Sequence, residues 1–350
     1  MASGKTMLRT SRDVEKKVSK SKVIPVWYYW EGASSPTVEL CIQNWRTVLG
    51  QSKYTFEVRK VDHKSAKLWL DAKRIPCMRQ KNSEFSALKS DFIRLALLEK
   101  YGGLYLDASI IMAVSPDWMV KQIEKGWTFQ AFFNPNNMLY GDAFPVVETS
   151  MLFAAKPNHP FIKVWLKCML DLKCTHRGRI RWLDKNIKDK GVRMQANLEY
   201  EYHMVYNALQ MVFEKIKPFN NFRGVKLYST TEYKYFTWEN YDIEALYKND
   251  FKAAKASQYP KYFLKLISRD RSELDYAIEH GIMNRNSWIG IMLWQNGSVH
   301  KAMHYTAPQK HRPYLLKCQR APAQRNDLFK SYLDCLPCKG DACNLQKKRK

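Results

Sequence analysis

Asp91 and Arg94 lie three residues apart in the run Ser83 to Tyr101, where Phe85, Leu88, Phe92, Leu95 and Leu98 recur at helical spacing. That spacing puts the carboxylate and the guanidinium on one helix face, aimed at one end of the unit that follows. A second carboxylate, Asp107, closes the short apolar run Leu104-Tyr105-Leu106, directly after Gly102-Gly103. Three polar groups converge there, an arrangement able to hold a polar ligand by charge and hydrogen bonds. From spacing alone, an intrahelical ion pair worth about 0.2–0.5 kcal/mol accounts equally well for Asp91 and Arg94.

Positioning these groups requires a strand, a helix and a second strand in quick succession. Val23 to Trp30 is a β-prone run, followed by a turn in which Ser35 is placed as a helix cap and Pro36 as the first helical residue. Val38, Cys41, Ile42, Trp45, Val48 and Leu49 then share one helix face, Gly50 stops the run, and Tyr54, Phe56, Val58 and Val61 form the next strand. This βαβ start predicts an α/β fold with a mostly parallel central sheet flanked by helices. The amphipathic 83–101 helix is expected to end at Gly102-Gly103 with positive φ, delivering Asp107 to the carboxyl end of a strand, the edge where open α/β sheets bind ligands. Further on, Met151 to Ala155 reads as a strand, His159 to Leu172 as a helix with Trp165 and Met169 inward, and Leu198 to Lys215 as another. Lys173 to Arg193 reads as a basic loop, Lys226 to Trp238 as β-prone, and Ser272 to His280 and Ser287 to Gln295 as helices.

The whole string Ser90-Asp91-x-x-Arg94-x-x-x-Leu98-x-x-Tyr101-Gly102-Gly103-x-Tyr105-Leu106-Asp107-Ala108-Ser109 closely resembles the signature of glycosyltransferases with a DXD sugar-binding motif. The nearest branch it resembles is that of the capsular polysaccharide synthesis proteins, which are family-32-like. Ile24-Pro25-Val26-Trp27-Tyr28-Tyr29-Trp30-Glu31-Gly32 is similar to the family's first strand and nucleotide loop, and Glu148 to Pro157 with His159-Pro160-Phe161-Ile162 is similar to its central segment. The resemblance covers residues 23–215 well and the remainder loosely. It implies a GT-A fold, a Rossmann-like architecture that binds a nucleotide-diphospho-sugar and passes the sugar, a hexosyl or pentosyl group, to a glycan or polysaccharide hydroxyl, with retention of configuration. The domain layout expected is a basic extension at 1–22, the GT-A domain at 23–315, and a basic, Cys-containing tail at 316–350.

The resemblance also assigns roles. Asp91 and Arg94 match positions that hold donor-sugar hydroxyls, Asp107 works on ribose, sugar or metal, Tyr105 and Ser109 belong to the same donor-binding string, and Trp30 or Trp27 stacks on the base or serves as core. Ser109 stands where the second acid of the motif is expected. A hydroxyl is a poor Mg²⁺ or Mn²⁺ ligand beside a carboxylate, so use of either ion is in question. A departing nucleoside diphosphate still needs positive charge, and Tyr262-Phe263-Leu264-Lys265-Leu266-Ile267-Ser268-Arg269-Asp270-Arg271 resembles a late family segment, making Lys265 and Arg271 candidates for the diphosphate, with surface charge as the alternative. In His300-x-x-x-His304-Tyr305, His304 is the candidate to join Asp107 if a metal is held, or is an ordinary surface histidine. On the acceptor side Glu148, with Asp142 as its alternative, and His203 are the candidate catalytic groups.

Composition bounds the rest. The 350 residues carry 58 Lys+Arg against 33 Asp+Glu, a formal net charge of +25. The ends hold more than half of it: residues 1–22 carry seven basic and two acidic side chains, and residues 301–350 carry twelve and three. With 45% hydrophobic and 13% aromatic residues the chain is a folded globular protein. Its basic ends read as solvated tails or as peripheral contacts with an anionic membrane, where each Lys or Arg adds about 1 kcal/mol. No transmembrane run or signal peptide is read, so the cytoplasm is the expected compartment. Cys41, Cys77, Cys168 and Cys174 are expected as reduced, buried thiols. Cys335-Leu336-Pro337-Cys338, with Cys318 and Cys343 nearby, has the spacing of half a zinc site and reads otherwise as unstructured tail. A catalytically degenerate nucleotide-sugar or glycan binder is the rival function. Specific nucleic-acid binding is not expected, for no recognition motif accompanies the charge.

Overall fold

The structure, a computed structural model, describes residues 23–71, 73–79, 85–135, 145–193, 201–217, 219–251 and 259–294. In chain order the elements that matter are β1 (Ile24–Tyr29), α1 (Pro36–Gly50), β2 (Phe56–Val61), α2 (Ser86–Tyr101), β3 (Gly103–Leu106), β4 (Ile110–Met112), β5 (Phe129–Phe133), β6 (Val147–Ala154), α3 (Pro160–Met169), α4 (His176–Leu183), α5 (Met204–Met211), β7 (Val225–Ser229), β8 (Phe263–Lys265), α6 (Ser268–Glu279) and α7 (Trp288–Trp294).

Six strands form one sheet in the order β2-β1-β3-β6-β5-β7. β1 pairs in parallel with both β2 and β3, β5 pairs in parallel with β7, and β6 alone runs against its neighbours. Every residue of β3, β5, β6 and β7 is buried, because both sheet faces are covered, and most are apolar, with Gln130, Glu148, Thr149, Ser150, Lys226 and Ser229 as the buried polar positions. Period-two alternation divides the side chains between two cores. Trp27, Tyr29, Tyr105 and Leu152 point to the face covered by α2, α3 and α5, whereas Val26, Tyr28, Leu104, Leu106 and Phe153 point to the face covered by α1. A third cluster fills the space between α1, the two-stranded β4–β8 ribbon, α6 and α7. Asn44 ties that layer together, donating to the Met112 and Met292 carbonyls and accepting from the Met112 N–H.

The α2–β3 junction is a tight bend that requires glycine. Gly102 and Gly103 have φ of +67° and +96°, and a Cβ on Gly103 would fall 2.3 Å from the Pro25 carbonyl oxygen. The Trp27 indole donates to the Gly102 carbonyl at 3.0 Å, so Trp27 is wholly core and offers no face to a base.

The fold departs from the sequence pattern at several elements. α2 is not amphipathic: Leu88 through Leu98 are buried except Ser90, Lys89 included, because protein surrounds the helix and Glu31 receives the Lys89 ammonium at 3.4 Å. Lys173 to Arg193 is no loop. Thr175 caps α4, which runs on into a π-helical turn at Asp184–Lys188, with Arg177, Arg181, Lys185 and Lys188 outward and Trp182, Leu183 and Ile187 inward. The density of outward base hid an apolar stripe. Lys226 to Trp238 is a strand only as far as Ser229; Lys234, at φ +49°, then separates two single helical turns. Ser35 occupies the cap position of α1 without a side-chain capping bond, and Gly50 is the last helical residue rather than the stop. Cys77 and Cys174 are not reduced thiols but a disulfide, with Cα atoms 5.3 Å apart, while Cys41 and Cys168 are free. Disulfides belong chiefly to oxidising compartments, so the cysteines lend no support to a cytosolic setting. Among the described residues no helix is long and apolar enough to cross a membrane.

Candidate functional site

Asp107 stands just past the end of β3, where its N–H donates to the Ser150 carbonyl at 2.8 Å and its carbonyl accepts from the Ile110 N–H at 3.2 Å. The neighbouring strand makes this seating possible. The β5–β6 register jumps between Ala131, opposite Leu152, and Phe132, opposite Glu148. Thr149, inside the jump, has its carbonyl free for another partner, as an irregular ladder allows, whereas the Ser150 carbonyl faces β3 and continues that ladder one rung past Leu106–Met151. Ser150 takes the Asp107 N–H, and Thr149 takes Arg94 Nη1 at 2.7 Å.

Arg94 is the hub. Its Nη2 lies 3.1 Å from Asp91 Oδ1, 3.4 Å from Asp107 Oδ1 and 2.9 Å from Ser90 Oγ, and its Nε donates to the Ser90 carbonyl. Its guanidinium carbon sits 4.9 Å from the centre of the Tyr105 ring, whose hydroxyl shares a 2.8 Å hydrogen bond with Ser90. With so many donors committed, Arg94 orients the two carboxylates and Asp107 meets solvent: its side chain is 24% exposed against 10% for Asp91. This is a buried triad, not a solvent-facing i, i+3 pair, and removing one partner of such a pair costs about 3–5 kcal/mol.

The β4–β8 ribbon brings the second half of the site from far away in sequence. Ile110 pairs with Lys265, which sets the lysine beside the 107–109 turn. Its Nζ donates to Asp107 Oδ2 and to Ser109 Oγ, at 2.8 Å each. Ser109 is fully buried and gives its own hydroxyl hydrogen to the Leu266 carbonyl at 3.0 Å, so it supports Lys265 from beneath. Arg271, near the start of α6, lies over the Trp30 ring at 5.4 Å, and Trp30 donates to the Ala33 carbonyl. These two flank the loop after β1, on the side of Asp107 that feels the Arg271 charge.

Glu148 is buried within the irregular stretch of β6 and accepts from the Tyr206 hydroxyl at 3.2 Å. His203, at the start of α5, packs edge-on against the Tyr206 ring with centroids 5.4 Å apart, and so stands one ring from Glu148. Burial pushes Glu148 up to about 8, with Glu239 and Asp107 adding to the rise and Tyr206 and Lys265 opposing it. Burial likewise lifts Asp91 to about 7, against the pull of Arg94. For Asp107 burial acts upward too, yet Lys265, Arg94 and Arg271 outweigh it and hold the carboxyl below its ordinary range. Acids with opposed shifts in one cluster are the pattern expected where protons and charge are handled.

The structure therefore gathers Asp91, Arg94, Tyr105, Asp107, Ser109 and Lys265 into one bonded cluster, with Glu148 beside it and Trp30 and Arg271 as a separate pair at its edge. His304, Asp142 and the Cys318, Cys335, Cys338 and Cys343 group lie outside the described residues. Ser90, Thr149 and Tyr206 join the site without having been singled out. Tyr206 sits three residues beyond His203, and that helical spacing was the available signal.

The residues described do not make a divalent-metal site. Asp107 has one oxygen on Arg94 and the other on Lys265, and Ser109 is spent on Lys265 and Leu266. Among the described residues no group of three or more His, Cys, Asp or Glu could hold a metal ion.

Comparison with known proteins gives three findings. Residues 2–187 match the model of a family described as capsular polysaccharide synthesis protein. No curated protein matches the chain. Solved structures that it resembles include a glycosyltransferase involved in the glycosylation of the major capsid of PBCV-1, 12% identical, covering 74% of this chain and 100% of that one, with a TM-score of 0.36. The galactosyltransferase LgtC in complex with donor and acceptor sugar analogues is also 12% identical, covering 75% and 96%, with a TM-score of 0.38. The glycosyltransferase GlyE of Streptococcus pneumoniae TIGR4 is 13% identical, covering 80% and 64%, with a TM-score of 0.37.

Proposed function

The chain belongs to the capsular polysaccharide synthesis protein family, and from that premise we propose that it is a glycosyltransferase of GT-A type, moving a sugar from a nucleotide-diphospho-sugar to a hydroxyl of a glycan or polysaccharide with retention of configuration. The observation that carries the reading is the buried Asp91–Arg94–Asp107 triad at the carboxyl end of β3. Carboxylates held rigid by a guanidinium accept hydrogen bonds from sugar hydroxyls in fixed directions, which is how binding energy becomes orientation. Asp107 makes that contact directly. Asp91, Tyr105 and Arg94 keep it in place.

In the reaction the bond between the anomeric carbon and the diphosphate breaks and its electron pair leaves on the phosphate oxygen. The acceptor oxygen bonds the same carbon on the face that the diphosphate leaves, as retention in one displacement requires, and loses its proton to Glu148, whose carboxyl Tyr206 orients. Lys265 and Arg271 face the departing diphosphate, and Trp30, backed by Arg271, meets the base. The basic ends add peripheral contact with an anionic membrane where the acceptor grows. A non-catalytic holder of the same donor is the second reading, favoured by Ser109 in place of an acid.

A thermal-shift and hydrolysis screen against nucleotide-diphospho-sugars separates the two. A donor at about 100 times its dissociation constant stabilises the fold by about 2.7 kcal/mol. Stabilisation with donor turnover supports the transferase, stabilisation without turnover across acceptors supports the holder, and neither response contradicts both.

A further inference from the structure

Lys265 bridges Asp107 and Ser109 at 2.8 Å to each, the two positions between which a cation would sit if both were acids. Its presentation is fixed on every side. The Lys265 N–H donates to the Tyr235 carbonyl, its carbonyl accepts from the Thr237 hydroxyl, and the Leu266 N–H is bonded to the Ser109 carbonyl. The hydroxyl of Ser109 completes the clamp by donating to Leu266, leaving its lone pair to the ammonium. An ammonium has three N–H groups, so with two bonded one is left for a ligand. The side chain is 12% exposed and bonded to Asp107, itself 24% exposed.

Charge accounting at this spot favours an anion. Asp107 is contacted by Lys265 on one oxygen and Arg94 on the other, and Arg271 is near enough to pull on the same carboxyl. Mg²⁺ and Mn²⁺ require several oxygen ligands in near-octahedral array, and here the carboxylate oxygens are taken and the hydroxyl is spent. A divalent ion would have to displace a bonded ammonium and then sit beside it. Ser109 is thus explained by Lys265: an aspartate there would face Asp107 across a single ammonium, whereas a serine accepts that ammonium without adding charge.

We propose that the Lys265 ammonium is this protein's built-in substitute for a divalent cation, gripping the donor's diphosphate and neutralising the charge that grows on it as it leaves, so that donor binding and transfer need no metal. Ser109 is a positioning residue that acts through Lys265. The inference rests on the donor reading given above and specifies the chemistry of that same site.

The test is calorimetric binding of uridine, guanosine and adenosine diphosphates to the full chain, in EDTA and in Mn²⁺, alongside Mn²⁺ titration followed by electron paramagnetic resonance. The expected result is that at least one diphosphate binds with affinities within threefold in the two buffers, and that no Mn²⁺ is immobilised at the site. Lys265→Met should weaken that binding at least tenfold, Lys265→Arg should retain more of it, and Ser109→Ala should fall between wild type and Lys265→Met, each with folding checked by circular dichroism. Binding that appears only with Mn²⁺ would overturn the inference and leave the donor reading standing. Unchanged affinity in a folded Lys265→Met would also overturn it. No binding of any diphosphate in either buffer would overturn the donor reading and this inference with it.

Discussion

Glu148 and Asp107 are close enough to feel each other's charge, yet their surroundings drive them apart: burial raises Glu148 to about 8, and three cations hold Asp107 low. A base must be ionised to act, so activity should climb with pH through about 8 in the free enzyme. Glu148→Gln should flatten that limb and cost about 10²–10⁴-fold in turnover. Stability should move the other way. The folded state keeps the Glu148 proton that the unfolded chain releases near 4.5, so its contribution is complete below 4.5 and fades as pH rises to about 8. The Gln variant should therefore gain stability relative to wild type over that interval. Denaturation midpoints and kcat/KM profiles measured on the same pair would expose a merely structural Glu148, which would show the stability change with an unaltered rate profile. At this scale Asp91, Arg94 and Asp107 were legible, because helical spacing and a short strand bring them together locally. Lys265 was legible only as a candidate cation. Its bond to Asp107 crosses 158 positions and depends on a three-residue strand, too short for any periodicity to announce.

The elements that carry the site were mostly readable and the details that aim it were not. β1, α1, β2, α2 and β3 follow from apolar period and from Gly102-Gly103, and the observed strands match that reading in order and direction. The register jump in β6 has no signature in Glu148-Thr149-Ser150, yet it frees the Thr149 carbonyl that seats Arg94. α4 was hidden because His176 and three arginines interrupt its three apolar residues, of which Trp182 and Leu183 are buried in the core. The α2–β3 corner gives the sharpest test at this level. Gly103→Ala places a Cβ against the Pro25 carbonyl at a φ that L-residues avoid, and it should cost more than about 1 kcal/mol in denaturant unfolding. An alanine variant with the wild-type midpoint would mean the corner is not built as described.

For the molecule as a whole, the Cys77–Cys174 bridge joins the segment ahead of α2 to the connection between α3 and α4, spanning 97 residues on the face that covers the triad. Closing so long a loop restricts the unfolded chain, and Cys77→Ser should lower stability by about 2–4 kcal/mol without reductant. With reductant the variant and the wild type should converge, whereas equal midpoints in its absence would contradict the bridge. Net charge reads differently once the site is in view. The surplus outside the two ends is modest, and Lys265, Arg271 and Arg94 spend part of it around one carboxylate. The strongly basic ends remain an accessory in the proposal, with contact to an anionic surface that weakens as salt rises.

In the proposed reaction the Asp107 carboxylate, set by Arg94 and Lys265, contacts the donor sugar. Donor hydrolysis and transfer by Asp107→Asn, measured against the nucleotide-diphospho-sugar that best stabilises the wild type, tests it most directly. The Asn variant should lose both activities by at least about 10³-fold, of the order seen when a group stabilising the transition state is removed, while staying folded. Wild-type turnover in a folded Asp107→Asn protein would contradict it.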